Sequence, residues 1–236
     1  MFSSILCMAT PSDPTNPLWL GLTHYWKLDD AVDAVTSTVG TVVSTVTFGA
    51  PYGKIGNGAL GGASGLIDTN CPGPVGNEAF TVAYWVYHPT TATGPGVIGL
   101  SHFVGLYGQK DGFPPIPPWD RAYVTSYLLV APSGSQQLGG DTAPFRVTLD
   151  AWHHVAFSYD GAAQRLYIDG VKVATGALTT ANGQGTDISI GNYVPGGPPP
   201  HFEGVRLDEV GTWSRALADA QVAELFNAGA GKQPPA

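Results

Sequence analysis

Three stretches of the chain carry residues able to do chemistry. Trp152-His153-His154 sets two imidazoles beside an indole, and imidazole is both a zinc ligand and a proton carrier near neutral pH. Leu207-Asp208-Glu209-Val210 sets two carboxylates together, the groups that in pairs hydrolyse glycosidic bonds. Asp29-Asp30 adds two hard oxygen donors of the kind calcium takes.

Spacing narrows each of these. Neighbours on a strand point to opposite faces, so His153 and His154 are badly placed to share one metal ion; a zinc pair sits better at alternate strand positions or at i, i+4 on a helix. The same alternation sends Asp208 and Glu209 to opposite faces, whereas the acid and nucleophile of a glycosidase flank one bond from the same face. The chain has no Glu-x-Asp-x-x-Glu arrangement and no Gly-x-Ser-x-Gly elbow. Gly56-Asn57-Gly58-Ala59-Leu60-Gly61 fits the dinucleotide glycine spacing, but no helix follows and no βαβ unit surrounds it. The expectation is a protein that is not an enzyme, with no catalytic residues.

Composition describes the frame that must hold these groups. Charged residues are 12% of the 236 residues, about half the usual share of roughly 25%, while 32 glycines and 20 prolines supply turns. That mixture suits many short strands joined by shaped loops. The net charge is -8, and the ten Lys and Arg are scattered from Lys27 to Lys232, so no basic stripe tracks a phosphate backbone and nucleic acid is not an expected partner. No apolar run approaches the ~18 residues of a membrane span, so membrane insertion is not expected. Cys7 and Cys71 do not make a disulfide framework. The first residues lack a basic n-region, and the apolar run Ile5–Ala9 is short for a signal peptide, which reads as a chain made in the cytoplasm without an export signal.

Residues 1–17 read as an extended Pro-rich arm, 18–229 as one folded domain and 230–236 as a tail that should fray. Strand-like runs recur at 23–28, 41–48, 65–68, 80–87, 97–100, 123–130, 146–149, 153–159, 165–168, 171–174, 187–190 and 206–213, with turn signals between them. Asp169-Gly170 suits a two-residue hairpin turn with positive φ angles. Residues 214–229 predict one helix, with Val222, Leu225 and Phe226 on one face, Leu217 as a staple if Ala218 is the N-cap, and Gly229 in the left-handed closing position. The fold class is therefore all-β: an antiparallel two-sheet sandwich or barrel with one short C-terminal helix.

The segments GLTHYWKLDD (21–30), YGKIGNGALGG (52–62), AFTVAYWVY (79–87), WHHVAFSYDG (152–161), RLYIDGVKVATGAL (165–178), ISIGNY (188–193) and VRLDEVGTWSRALADAQVAELFNAG (205–229) together resemble the laminin G-like, concanavalin A-like jelly rolls, in particular their bacterial and phage branch. The resemblance implies two curved sheets packed face to face and a protein that binds rather than catalyses. It also implies a structural calcium ion at Asp29, Asp30 and Asp208. The other reading is that Asp29 and Asp30 cap a turn and Asp208 holds backbone.

The loops FPPIPPWD (113–120) and NYVPGGPPPHFEG (192–204) are stiffened by proline, which lowers the cost of presenting Phe113, Trp119, Tyr193, His201 and Phe202 to a sugar or a protein groove. The opposite reading folds those aromatics back onto the sandwich. The leading functional expectation is a virion surface protein, a capsid decoration or a tail or fibre accessory, fastened by its arm to capsid or tail proteins and adhering to host cell-surface glycans. The alternatives are an extracellular lectin or adhesin module of a secreted protein and a polysaccharide-active enzyme. Exposed edge strands are compatible with a homo-oligomer.

Overall fold

The computed structural model describes residues 16–92, 98–99, 122–129, 135–140, 142–178, 181, 183–191 and 202–235. In chain order the strands are β1 (Leu22–Trp26), β2 (Thr41–Val43), β3 (Val46–Gly49), β4 (Gly58–Gly61), β5 (Leu66–Pro72), β6 (Val75–Gly76), β7 (Phe80–Tyr87), β8 (Ile98–Gly99) and β9 (Ala122–Tyr123). They continue as β10 (Thr125–Leu129), β11 (Ser135–Gly139), β12 (Arg146–Val147), β13 (Trp152–Tyr159), β14 (Ala163–Ile168), β15 (Val171–Ala177), β16 (Gly183–Gln184), β17 (Asp187–Ile190) and β18 (Arg206–Trp213). Among the described residues a single α-helix, α1 (Asp219–Phe226), follows.

The large sheet runs β15-β14-β13-β7-β18-β4-β3, with β1 also paired to β18, and the smaller one runs β2-β5-β17-β8. The named pairings of both sheets are antiparallel. Alternation along the strands produces the layers. Val82 and Tyr84 of β7 and Val155, Phe157 and Tyr159 of β13 turn inward and meet Ile67, Ile188 and Ile190 of the smaller sheet in the main core. Ala83 and Ala156 turn outward, and their small side chains admit a second layer of Leu18, Trp19, Tyr25, Trp213, Leu217, Val222 and Leu225. Trp19 stacks on Trp213 at 6.3 Å in that layer.

The three-stranded meander β13-β14-β15 forms as the sequence predicts, and its hairpin turn has Asp169 at φ 49 and Gly170 at φ 76. Other expectations need correction. The run 41–48 is not one strand: Ser44 takes φ 61, and the chain crosses there from the small sheet to the large one. The helix is half the predicted length. Ahead of it, residues 214–218 stay outside the helix and are tied to the N-terminal segment, the Arg215 side chain donating to the Pro17 and Leu20 carbonyls. Ala218 is the N-cap, and because alanine has no acceptor, only the return bond forms, from the Ala218 amide to the Gln221 side chain at 3.1 Å. Left-handed closure begins at Asn227 (φ 49) rather than at Gly229. The tail does not hang free, for Gly231 is buried against Ile55 and Trp85, and Gln233 donates to Glu209.

Candidate functional site

The acidic pair sits where β18 changes partner. Arg206 and Leu207 pair with β4, whereas Val210 to Trp213 pair with β1. Between them the register against β7 slips, and Glu209 takes φ 54. This bulge corrects the expectation of opposite faces. Leu207 and Val210 both point into the main core, so Asp208 and Glu209 are both directed to the other side. Both are buried, at 0% and 5% exposure. Asp208 accepts the Lys54 and Ile55 amides on Oδ2, at 2.7 and 2.8 Å, and the Glu209 amide on Oδ1 at 3.0 Å. Glu209 accepts the Tyr25 hydroxyl and the Gln233 side-chain amide. Burial is the main cause that pushes Asp208 up to about 8 and Glu209 up to about 7, with their mutual repulsion adding to the rise in Asp208. Two carboxylates so enclosed give a sugar no path to them, and they serve to pin the 53–57 loop and the tail.

The aspartates expected to hold calcium are not among the groups of three whose ligand atoms converge among the described residues. Asp29 accepts the Asn57 amide at 3.2 Å, Asp30 accepts the Val32 amide at 2.8 Å in its own turn, and the Asp208 carboxylate is taken up by three amides. Among the described residues, the group of three whose ligand atoms all lie within 4.8 Å of one another is instead His24, Asp33 and Cys71. That cluster is organised by hydrogen bonds. Asp33 Oδ2 meets His24 Nδ1 at 2.8 Å and accepts the Thr36 hydroxyl at 2.6 Å, and Oδ1 accepts the Tyr25 and Val35 amides at 2.8 and 3.0 Å. With the Cys71 thiol, which also donates to Oδ2 at 3.9 Å, five partners saturate the carboxylate and hold the 33–38 turn against β1, and the sequence pattern gave no signal for it.

The two histidines part as strand geometry requires. His154 is buried against Trp85 and Phe226, and desolvation lowers it to about 4, so it is neutral. His153 instead lies between Asp169, 2.8 Å from Nδ1, and the Thr148 hydroxyl, 2.9 Å from Nε2.

Of the loop aromatics, Phe113, Trp119, Tyr193 and His201 lie outside the described residues. Phe202 is corrected: it is 0% exposed in the main core, wedged against Gly61 and Gly191, and is not presented to any ligand. Val205, also buried, closes this turn by donating its amide to the Phe202 carbonyl at 2.9 Å.

A row in which the sequence singled out only Trp152, and that only beside the two histidines, stands open instead. Trp152 of β13 is opposite Tyr87 of β7, and Tyr87 is opposite Arg206 of β18. The three lie on the same outer face as His154, Trp85 and Asp208, two residues further along, where the cover from α1 ends. All three are half-buried. Trp152 and Tyr87 meet edge to face at 5.7 Å, and the Arg206 guanidinium lies 4.6 Å from the Tyr87 ring and 6.0 Å from Tyr52. One row back, the Lys54 ammonium is 4.9 Å from the Trp85 ring. The signal was present only as an aromatic at the mouth of each of two strands, since nothing local says which strands are neighbours.

The sequence pattern of the concanavalin A-like lectin/glucanases superfamily matches residues 60–223. The chain belongs to this superfamily. A comparison with curated proteins found no sequence match. Among solved structures, this member of the concanavalin A-like superfamily is similar to domain 4 of AbnA, a GH43 extracellular arabinanase from Geobacillus stearothermophilus solved with arabinotriose. The two are 23% identical with a TM-score of 0.64 over 86% of this chain and 97% of that one. It is also similar to the binding domain of Paraclostridial mosquitocidal protein 1, 14% identical, TM-score 0.67, over 90% of this chain and 53% of that one. The receptor-binding domain of botulinum neurotoxin D is 12% identical, TM-score 0.61, over 89% of this chain and 53% of that one. This concanavalin A-like chain spans about half the length of the two toxin domains. At these identities the likeness establishes the jelly-roll fold, whose neighbours here are mainly binding domains.

Proposed function

We propose that the protein is a non-catalytic carbohydrate-binding module whose sugar platform is the row Trp152, Tyr87 and Arg206. The observation that carries this is the row itself. Two aromatic rings and a guanidinium are aligned across three adjacent strands and half open to solvent. Aromatic faces pack on the apolar face of a sugar ring, and the rigid strands spare the cost of ordering the site on binding. The enclosure of Asp208 and Glu209 supports a binding rather than a hydrolytic role, and the arabinanase domain solved with arabinotriose is a sugar-complexed precedent on the same fold.

The test is a glycan array probed with the full chain beside Trp152→Ala and Tyr87→Ala. Loss of signal in both variants at unchanged melting temperature is the expected result, and a wild-type protein that binds no glycan sinks the reading. The setting we propose is the surface of a virus particle, with residues 1–17 fastening the module to capsid or tail protein; the resemblance of the segments quoted above to phage-borne jelly rolls supports it. Co-sedimentation with stripped particles, with and without residues 1–17, decides between this and an extracellular adhesin that binds cells without the arm.

A further inference from the structure

We infer that the Trp152–Tyr87–Arg206 row takes a sugar that carries a carboxylate; this rests on the carbohydrate-binding reading above and names its ligand class. Among the described residues, three cations are paired with carboxylates and the two on this face are not. Arg165, Lys172 and Lys232 each hold a carboxylate, Asp160, Asp219 and Glu224 respectively. Arg206 and Lys54 hold none among the described residues, in a chain with 18 acidic residues against 10 basic ones. Their charged heads lie on aromatic rings instead, Arg206 between Tyr87 and Tyr52 and Lys54 on Trp85. The nearby Asp208 makes no ion pair with either, its oxygens being turned to the amides of Lys54, Ile55 and Glu209.

A guanidinium packed against rings keeps its N–H fork at the rim of the plane. That fork matches the two oxygens of a carboxylate, and the low hydration of guanidinium makes the exchange of water for carboxylate cheap. Trp152 and Arg206 are two strand spacings apart, about 10 Å. A sugar ring lying on Trp152 and Tyr87 therefore points a substituent at Arg206. Lys54, one row back on the same face, adds a second positive charge to the same end. A neutral sugar uses the rings but leaves both charges unanswered.

The experiment compares the full chain on paired glycans: uronate and sialate oligosaccharides beside their methyl-esterified counterparts, which keep the sugar and lose the charge. Binding of the free acids at least tenfold tighter than of the esters is expected, with the preference abolished in Arg206→Ala and reduced in Arg206→Lys, which keeps the charge without the fork. Melting temperatures check that both variants fold. Equal binding of acid and ester overturns the inference and leaves the carbohydrate-binding reading standing. Binding of neither overturns both. An acid preference that survives Arg206→Ala overturns the assignment to this row.

Discussion

Asp208 and Ile55 stand 153 residues apart and are joined by one hydrogen bond, the Ile55 amide donating to the carboxylate at 2.8 Å. With the Lys54 amide on the same oxygen, this fastens the loop before β4 to the bulge of β18. A carboxyl whose folded pKa is raised binds its proton more tightly in the fold than in the unfolded chain. Its stabilising contribution is therefore full below about pH 4 and is lost as pH rises toward about 8. Asp208→Asn keeps an acceptor for Lys54 and Ile55 but turns an amide toward the Glu209 N–H, a constant cost of about 1 kcal/mol. In melting curves, wild-type stability minus that of the variant should be positive near pH 4, fall as pH rises between these limits and change sign, because a shift of this size outweighs the constant cost. A difference that does not change with pH refutes the burial argument.

His154 has the opposite sign. Burial lowers it from 6.5 to about 4, so the unfolded chain binds the proton and the fold does not. Stability is present above about pH 6.5 and is lost as pH falls toward 4, by roughly 3 kcal/mol for a shift of this size. His154→Phe keeps the ring packing against Trp85 and Phe226 and removes a buried Nδ1 that has no hydrogen-bond partner. Its melting temperature should resist acid where the wild type does not. Because the Asp208 and His154 windows overlap, each is read as wild type minus its own variant.

Phe202 is a folding residue, so Phe202→Ala should cost about 3–5 kcal/mol in urea denaturation. Gly191→Ala tests the same contact from the other side, because Gly191 has φ +100 and an added Cβ would lie 2.3 Å from Phe202 Cδ1. Both variants should lower the denaturation midpoint. A ligand contact at Phe202 would leave it where it is.

Asp33 answers five partners, the Cys71 thiol among them, and holds the turn against His24. Asp33→Ala strands those partners and should cost about 3 kcal/mol. Zinc should not raise the melting temperature of the wild type, since the carboxylate is already saturated. A rise that disappears in Cys71→Ser would make the cluster a metal site.

How much of this was legible in the sequence varies by distance along the chain. The β7, β17 and β18 bounds, the meander of β13 to β15 and its Asp169-Gly170 turn were readable, because period-two alternation and turn chemistry are local. The helix start was misread, because contacts between Arg215 and the carbonyls of residues 17 and 20 override the local pattern. Phe202 looked like an exposed loop aromatic for the same reason. Its burial depends on Gly61 and Gly191, which are brought to it by other strands.

By itself, then, the amino-acid sequence determined the all-β class, the family and the separation of His153 from His154. Tertiary structure alone decided that Asp208 and Glu209 share a face, because one residue inserted as a bulge shifts every later side chain of β18 by half a period. It alone decided that Trp152, Tyr87 and Arg206 form a row. Sheet register joins residues from three distant segments, and no spacing within any one of them encodes which strand lies alongside.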